Sequence, residues 1–412
     1  MKNNITHIIL LLVLGLSWSS VNAQFWDPIQ GCLKDADTEN APCLSNTLLS
    51  AVPFLRIVPD SRSGAMGDVG IAISADPNAM HFNASKLAFA ENDLGISATY
   101  SPWLQGIGLK DVYMAYLTGY KRIDDLQTLG FGLRFFSLGQ IDFADAAGNP
   151  TGSGKPREFA LSFAYSRKLA ENFSASLSAK YIYSNLAQGQ MVDGIAVTAA
   201  NAFATDLSLT YFHDLDIGGY DSRLNYGFAM TNLGSKVTYT RSNDVRDFLP
   251  GNIGLGVALD MNLDDYNLIT IAFDVNKLLV PTPTSSLDTA SFDVAPANGI
   301  ADYREQGLIS GILGSFGDAP GGFSEEFQEI YYSFGAEYWY DKQFAVRAGY
   351  YYESPRKGDR QFLTVGVGLK YNTLNMNISY LVPTTIRRSP LDNTLRFGII
   401  FNLGEDGATS NE

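Results

Sequence analysis

The chain has 412 residues, of which 17% are charged and 46% hydrophobic, with 39 glycines, 22 tyrosines, 25 phenylalanines and a formal net charge of −14. That acidic balance excludes a nucleic-acid binder, which needs clustered Lys and Arg to neutralise phosphates. The length alone suits two or three soluble domains, yet no Pro/Ser linker or shift in composition divides the sequence.

In chain order, residues 1–23 read as an export signal. Lys2 supplies the positive start, residues 5–16 an apolar core too short to span a bilayer, and Val21-Asn22-Ala23 small residues at the cleavage positions. The mature chain is then expected to begin at Gln24, with a charge of −15 once Lys2 is lost. Residues 24–52 form a polar extension carrying the only two cysteines, Cys32 and Cys43. In an oxidising compartment a short-range disulfide between them is expected, stabilising by about 3 kcal/mol. No histidine lies near enough to make them a metal pair, and no cofactor is expected.

Residues 53–92 are rich in small residues, with Asp60, Asp68 and Asp76 among them. They read as compact turns and short helical pieces in or under a barrel mouth, a plug-like segment.

Alternating apolar and polar residues then begin. Strands are expected at 93–103, 112–121, 128–143, 156–168, 173–186, 203–213 and 223–233, then at 251–261, 267–279, 330–340, 343–352, 361–371, 374–381 and 393–403. Residues 330–352 show the pattern best. Ile330, Tyr332, Phe334, Ala336, Tyr338 and Tyr340 share one face, and Asp-Lys-Gln joins this run to the next. About ten residues of tilted strand also crosses the hydrocarbon of a bilayer. Short joints follow even strands and longer ones follow odd strands, the extreme being 280–329. That sorting, on an even strand number, is the mark of an outer-membrane barrel with short periplasmic turns and long extracellular loops. The expected fold is all-β: a transmembrane outer-membrane β-barrel of about 14 antiparallel strands spanning 93–403, with a tail at 404–412. Tyrosines at strand ends would form the interfacial girdles.

Lys180, Glu337, Arg347 and Arg396 fall on the face opposite the apolar one and are placed in the lumen, where charges can pair. On the lipid face a midplane Arg or Lys would cost about 2–4 kcal/mol. Within 280–329, Asp302 and Glu305 resemble a capping box ahead of an apolar stripe of Ile309, Ile312, Leu313 and Phe316 ending at Gly317, and Ser324 can cap a further short helix through Glu329. Phe323 and Phe327 extend this candidate partner-binding loop. An apolar helix outside the cell has to bury its stripe in the lumen mouth, a ligand or another protein. Arg356, Lys357 and Arg360 lie in the next outer loop and Arg387 and Arg388 in the last. They read as rim cations that meet solvent, lipopolysaccharide phosphates or a partner.

Nothing reads as catalytic. His7 leaves with the signal, His213 ends an even strand, and His81, in the plug-like segment, is assigned a capping or packing role. No nucleophile elbow, zinc spacing, Walker loop or dinucleotide fingerprint is present.

The run PFLRIVPDSRSGAMGDVGIAISADPNAMHFNASKLAF, the strands after it and the loop GLISGILGSFGDAPGGFSEEF together resemble the PorV family, outer-membrane barrels of the Bacteroidetes type IX secretion system. That family is similar to the FadL-type fatty-acid transporters, whose members often read Asn-Pro-Ala where this chain has Asn83-Ala84-Ser85. The resemblance implies a non-enzymatic protein that receives secreted cargo by its C-terminal signal domain at the translocon. It would carry that cargo to a surface attachment complex containing a sortase-like peptidase, and would associate with the large translocon barrel. The alternative is a FadL-like passive transporter of hydrophobic small molecules.

Overall fold

The computed structural model describes residues 47–103, 111–144, 150–187, 189, 191–192, 195–240, 246–283, 303–385 and 393–404, with the backbone alone of 25–27 and 32–34. The signal segment, Cys43, the capping-box Asp302, Arg387, Arg388 and most of the C-terminal tail lie outside the described residues.

Fourteen antiparallel strands close into one barrel. They are β1 (Leu94–Pro102), β2 (Val112–Arg122), β3 (Gln127–Leu138), β4 (Arg157–Ala170), β5 (Phe173–Asn185), β6 (Ala200–Ile217) and β7 (Tyr220–Gly234), followed by β8 (Asn252–Asn262), β9 (Asn267–Leu278), β10 (Ile330–Tyr340), β11 (Phe344–Tyr352), β12 (Gln361–Tyr371), β13 (Leu374–Pro383) and β14 (Leu395–Leu403). Each strand pairs with its neighbour in sequence, and β14 returns to β1 with Phe397 opposite Tyr100 and Leu403 opposite Leu94. Closure leaves no strand edge for lipid to strip of hydrogen bonds. No described helix is long and apolar enough to cross a membrane.

Side chains alternate across the wall. Phe334 and Tyr338 of β10, Phe163 of β4, Val365 and Val367 of β12 and Phe397 and Ile399 of β14 point outward and are exposed, while Ser333, Glu337, Arg347 and Arg396 point inward and are buried. Exposed tyrosines such as Tyr266, Tyr340 and Tyr371 stand at the short-turn end, and Tyr100 and Tyr352 at the other. The turns after even strands hold two to four residues, against eight to 51 after odd strands. Some bounds differ from those the sequence predicts. β3 stops at Leu138, where the chain turns at Gly139 and 141–144 leaves the barrel to pair with Pro150–Gly154. β6 and β7 run to the two-residue Gly218-Gly219 turn rather than stopping at 213 and 223. The backbone of Cys32–Lys34 pairs with Phe25–Asp27 as a separate ribbon.

Residues 47–93 fill the barrel from inside. Their regular pieces are short: 3-10 turns at Pro53–Arg56, Ser63–Ala65 and Ala84–Phe89, and helix α1 (Ala79–Phe82). Three apolar patches fix this plug to the wall. Val52, Phe54 and Leu55 pack with Trp103, Met114, Phe136 and Ile182. Met66, Val69, Ala72 and Ile73 meet Ala258 and Ala272, and Met80 and Leu87 meet Tyr120 and Ala164. The approach is close at Gly67, which takes φ +67° beside two strands: a β-carbon there would lie 2.5 Å from the Tyr350 nitrogen and 2.6 Å from the Phe334 oxygen. Only glycine combines that conformation with that space.

Candidate functional site

The lumen is built around charge. Arg62 of the plug donates to both carboxylate oxygens of Glu337 on β10, Nη2 to Oε1 at 2.7 Å and Nε to Oε2 at 3.1 Å. Arg347 on β11 stands beside Glu337 in the ladder and donates from Nε to the same Oε2 at 2.5 Å. Arg62 also reaches Asp76 at 3.2 Å and the Ser74 hydroxyl at 2.8 Å. Arg396 on β14 lies 3.7 Å from Asp68 of the plug, and Lys180 on β5 pairs with Asp206 on β6 at 2.8 Å. Lys180, Glu337, Arg347 and Arg396 are thus all buried and all have an opposite charge, two of them, Glu337 and Arg396, in contact with the plug.

Period-two patterning puts a carboxylate on the inner face of β10, but nothing local announces its partner 275 positions earlier. Two more contacts of this kind escape a sequence reading. Asp274 on β9 accepts the amides of Gly70 and Ile71 at 2.7 and 2.9 Å. Asn83 bridges plug and wall, donating to the Ile71 and Leu209 carbonyls and the Thr210 hydroxyl while its own oxygen accepts from Ser85. His81 takes a packing role: its Nδ1 lies 2.5 Å from Arg134 Nη2, and burial, with Arg134 and Lys180 nearby, lowers its pKa well below the usual 6.5, so it is the neutral acceptor. Asp60 is buried with one oxygen accepting the Ser63 amide at 2.7 Å, and burial together with Asp76 raises its pKa to about 6.

On the turn side of the plug a cavity of about 320 Å³ opens, lined by charged and polar groups including Asp76, Glu91, Asp260, Lys342 and Lys370. On the loop side a cavity of about 80 Å³ lies between Arg56, Asp68, Asp274, Tyr331 and Arg360.

Above the barrel the long insertion folds back on its rim. Helix α2 (Leu308–Gly314) follows a 3-10 turn at Tyr303–Glu305, and α3 (Phe323–Glu326) leads into β10. α2 is shorter than the pattern predicts, and the N-cap of α3 is Gly322, which leaves Ser324 inside the helix. α2 docks by its small side. A β-carbon at Gly311 would lie 2.6 Å from the Phe248 ring, and Leu308 packs on the cluster of Leu48, Phe248, Leu278 and Val280. The other side faces outward: Ile309 is 72% exposed, Leu313 68% and Phe323 77%, with Phe316 and Phe327 also exposed and Ile312 half-buried. The Phe323 and Phe327 rings meet edge to face at 4.7 Å.

A buried ion cluster holds this surface in place. Lys277 of β9 contacts Glu326 at 3.1 Å and Glu329 more closely, Lys357 contacts Glu325 at 2.5 Å and Glu329 at 3.0 Å, and the Thr282 hydroxyl donates to Glu329 at 2.6 Å. Two of the residues placed at the rim are therefore engaged within the protein. Lys357 is buried under the insertion, and Arg360 pairs with Glu353 at 2.7 Å while donating to the Tyr351 hydroxyl. Burial alone would raise the Glu353 pKa, but Arg360 and Arg56 outweigh it and hold it below the usual range. Arg356 is half-buried in the same loop. Among the described residues no group of His, Cys, Asp and Glu is arranged to hold a metal.

A closed, plugged barrel with an apolar outer belt, short turns at one end and long loops at the other defines a transmembrane β-barrel protein of the outer-membrane type. Structures with similar barrels include the Pseudomonas putida toluene transporter TodX (13% identity, TM-score 0.47, covering 84% of this chain and 98% of that one). The Ralstonia pickettii toluene transporter TbuX (12%, 0.44, 82% and 95%) and a Pseudomonas aeruginosa FadL homologue (9%, 0.41, 87% and 100%) are others. No curated protein matches the sequence. The model of type IX secretion system protein PorV matches residues 40–285, more than half of the chain, and the chain belongs to that family. It is an outer-membrane component of type IX secretion. The matched span ends within the long insertion, ahead of α2.

Proposed function

We propose that the protein binds the C-terminal signal domain of secreted cargo as it leaves the translocon, and carries it to the surface attachment complex with its sortase-like peptidase. The role is one of binding and carrying, not catalysis. The observation that carries this reading is the outward apolar surface of Ile309, Leu313, Phe316, Phe323 and Phe327, fixed to the barrel by buried Lys277, Lys357 and Glu329. Large apolar side chains exposed together outside the membrane region mark a protein-binding surface. The cargo domain or the wall of the large translocon barrel would cover them, with outer-membrane lipid and lipopolysaccharide around the belt and rim. Passive conduction, the other reading of the sequence, needs an open apolar tunnel. Arg62, Glu337 and Arg347 instead tie the plug to the wall by a buried ion cluster inside the lumen.

The test is a Leu313→Asp, Phe323→Asp double variant, purified with an affinity tag from its native membrane. Cargo and translocon should no longer copurify while the barrel keeps its heat-modifiable mobility on gels. Undiminished recovery of both partners would refute the assignment.

A further inference from the structure

The longest hairpin of the barrel is β6–β7, with strands of 18 and 15 residues. Its neighbour β5 does not accompany it to the end. The first residue of β5, Phe173, stands opposite Tyr211, and the last amide served on that side is that of Phe212, which donates to the Asn172 carbonyl at 3.1 Å. From His213 to Ile217, β6 pairs with β7 alone, in the register His213 opposite Leu224 through Ile217 opposite Tyr220. Backbone groups alternate sides along a strand, so the N–H and C=O of Asp214 and Asp216 point where that of Phe212 does, past the end of β5. The unpaired stretch is about 17 Å long at roughly 3.3 Å per residue. It lies at the short-turn, periplasmic end of the barrel, and Asp214, Asp216 and Ile217 are exposed there.

This overhang is held as strand without a second neighbour. Arg223 of β7 donates to Asp214 at 2.6 Å and lies 4.2 Å over the Phe212 ring, which in turn packs on Phe89 of the plug at 5.1 Å. The Asp216 carboxylate accepts the Gly219 amide at 2.9 Å, which fixes the turn. An ordered edge of this kind is a template for a further strand. Two of the usual obstacles are missing: residues 212–223 contain neither proline nor lysine. Three carboxylates, Asp214, Asp216 and Asp221, stand there against the single guanidinium of Arg223, and Glu171 of the adjoining β4–β5 turn adds a fourth negative charge.

We propose that the free edge of β6 at residues 213–217 docks an extended, lysine-bearing segment of a periplasmic protein. That segment adds as a strand through the backbone of Asp214 and Asp216 and sets its lysines beside Asp214, Asp216 and Glu171. The site is independent of the outer loop, on the opposite side of the membrane.

The experiment uses the full-length barrel in detergent micelles and a ten-residue peptide alternating Lys and Val, with a Glu/Val peptide as control. Amide exchange is read residue by residue. The Lys/Val peptide should slow exchange at Asp214 and Asp216 at least tenfold. His213 and Leu215, whose amides already face β7, should not change. Asp216→Pro removes an outward donor without touching the β6–β7 ladder and should abolish the protection. A double variant, Asp214→Lys with Asp216→Lys, keeps the donors and should transfer the preference to the Glu/Val peptide. Unchanged exchange at saturating Lys/Val peptide overturns the proposal, as does equal protection by both peptides. Protection that appears without peptide and grows with protein concentration would assign the edge to a second copy of this chain and overturn it equally.

Discussion

Arg62 and Glu337 form a two-pronged ion pair between plug and wall, the guanidinium on the plug and the carboxylate on β10, with both side chains almost wholly buried. A planar guanidinium suits such a carboxylate in a way an ammonium cannot. Arg347 completes the arrangement, so one carboxylate serves two cations.

Removing that carboxylate leaves two buried cations short of a counter-charge, Arg347 of them without another ion pair among the described residues. Glu337→Gln should therefore destabilise the plugged barrel by roughly 3–5 kcal/mol. Chemical unfolding in detergent, followed by gel mobility, checks this. A midpoint equal to that of the parent protein would show that the pair has no role in holding the plug.

Gly349 on β11 faces the plug so closely that a side chain there would overlap the backbone of Met66 and Gly67. Gly349→Val keeps a residue suited to a strand, so the barrel should close while the plug is pushed off its seat. Amides of residues 60–73 should exchange faster and protease should reach them. Gly132→Ala is the control, because its new carbon would meet nothing nearer than the Tyr116 hydroxyl at 3.6 Å.

His81 gives the plug an acid sensitivity of definite sign. The unfolded chain takes up a proton there below about pH 6.5, but the folded chain, with a lowered pKa, does not. Its contribution is therefore intact above pH 6.5 and lost as pH falls, by up to about 2 kcal/mol between pH 6.5 and 5. Asp60, raised to about 6, works the other way, its contribution falling as pH rises from 3.8 toward 6. The difference between the parent and His81→Gln, which keeps an acceptor for Arg134, isolates the histidine. Relative to the parent, the variant should lose the histidine's advantage at pH 7 over pH 5, up to about 2 kcal/mol, so its unfolding midpoint at pH 5 should rise against that at pH 7.

Lys357→Met removes a buried cation that ties both Glu325 and Glu329 to the rim. Exchange of the amides of α2 and α3 should quicken about tenfold or more, given the roughly 3–5 kcal/mol at stake when a buried pair is broken. The barrel strands should keep their protection, and partner copurification should fall with the loss of order in the loop.

Much of the barrel was legible in the sequence because its rules are local. Residues 330–340 alternate strictly, and the lengths of the connections sort by parity, which fixes both the strand number and its orientation. Where the bounds slipped, longer-range features were responsible: Gly218-Gly219 lets β6 and β7 run past their neighbours, and Gly139 diverts the chain from β3. The site was less legible. Residues 53–92 carry no periodic signal, and what places them is a set of contacts such as Arg62 to Glu337 that only closure creates. The stripe of α2 was visible, but its direction was not. Burial of the apolar face is the ordinary rule, and here Gly311 permits the opposite side of the helix to sit against Phe248. Lys357 has no feature in the sequence that separates it from Arg356, and its burial follows from the insertion lying over it.

The way the barrel closes also orders its assembly. The plug precedes β1, yet three of its polar partners, Glu337, Thr364 and Arg396, stand on β10, β12 and β14, among the last strands to be made. The seam that completes the wall lies between those two ends of the chain, at β14 and β1. With no spare space around Gly67, a finished cylinder would offer the plug no way in. A plug that lies inside has therefore to enter before β14 meets β1, so the last pairing of the wall sets the time by which the interior must be filled.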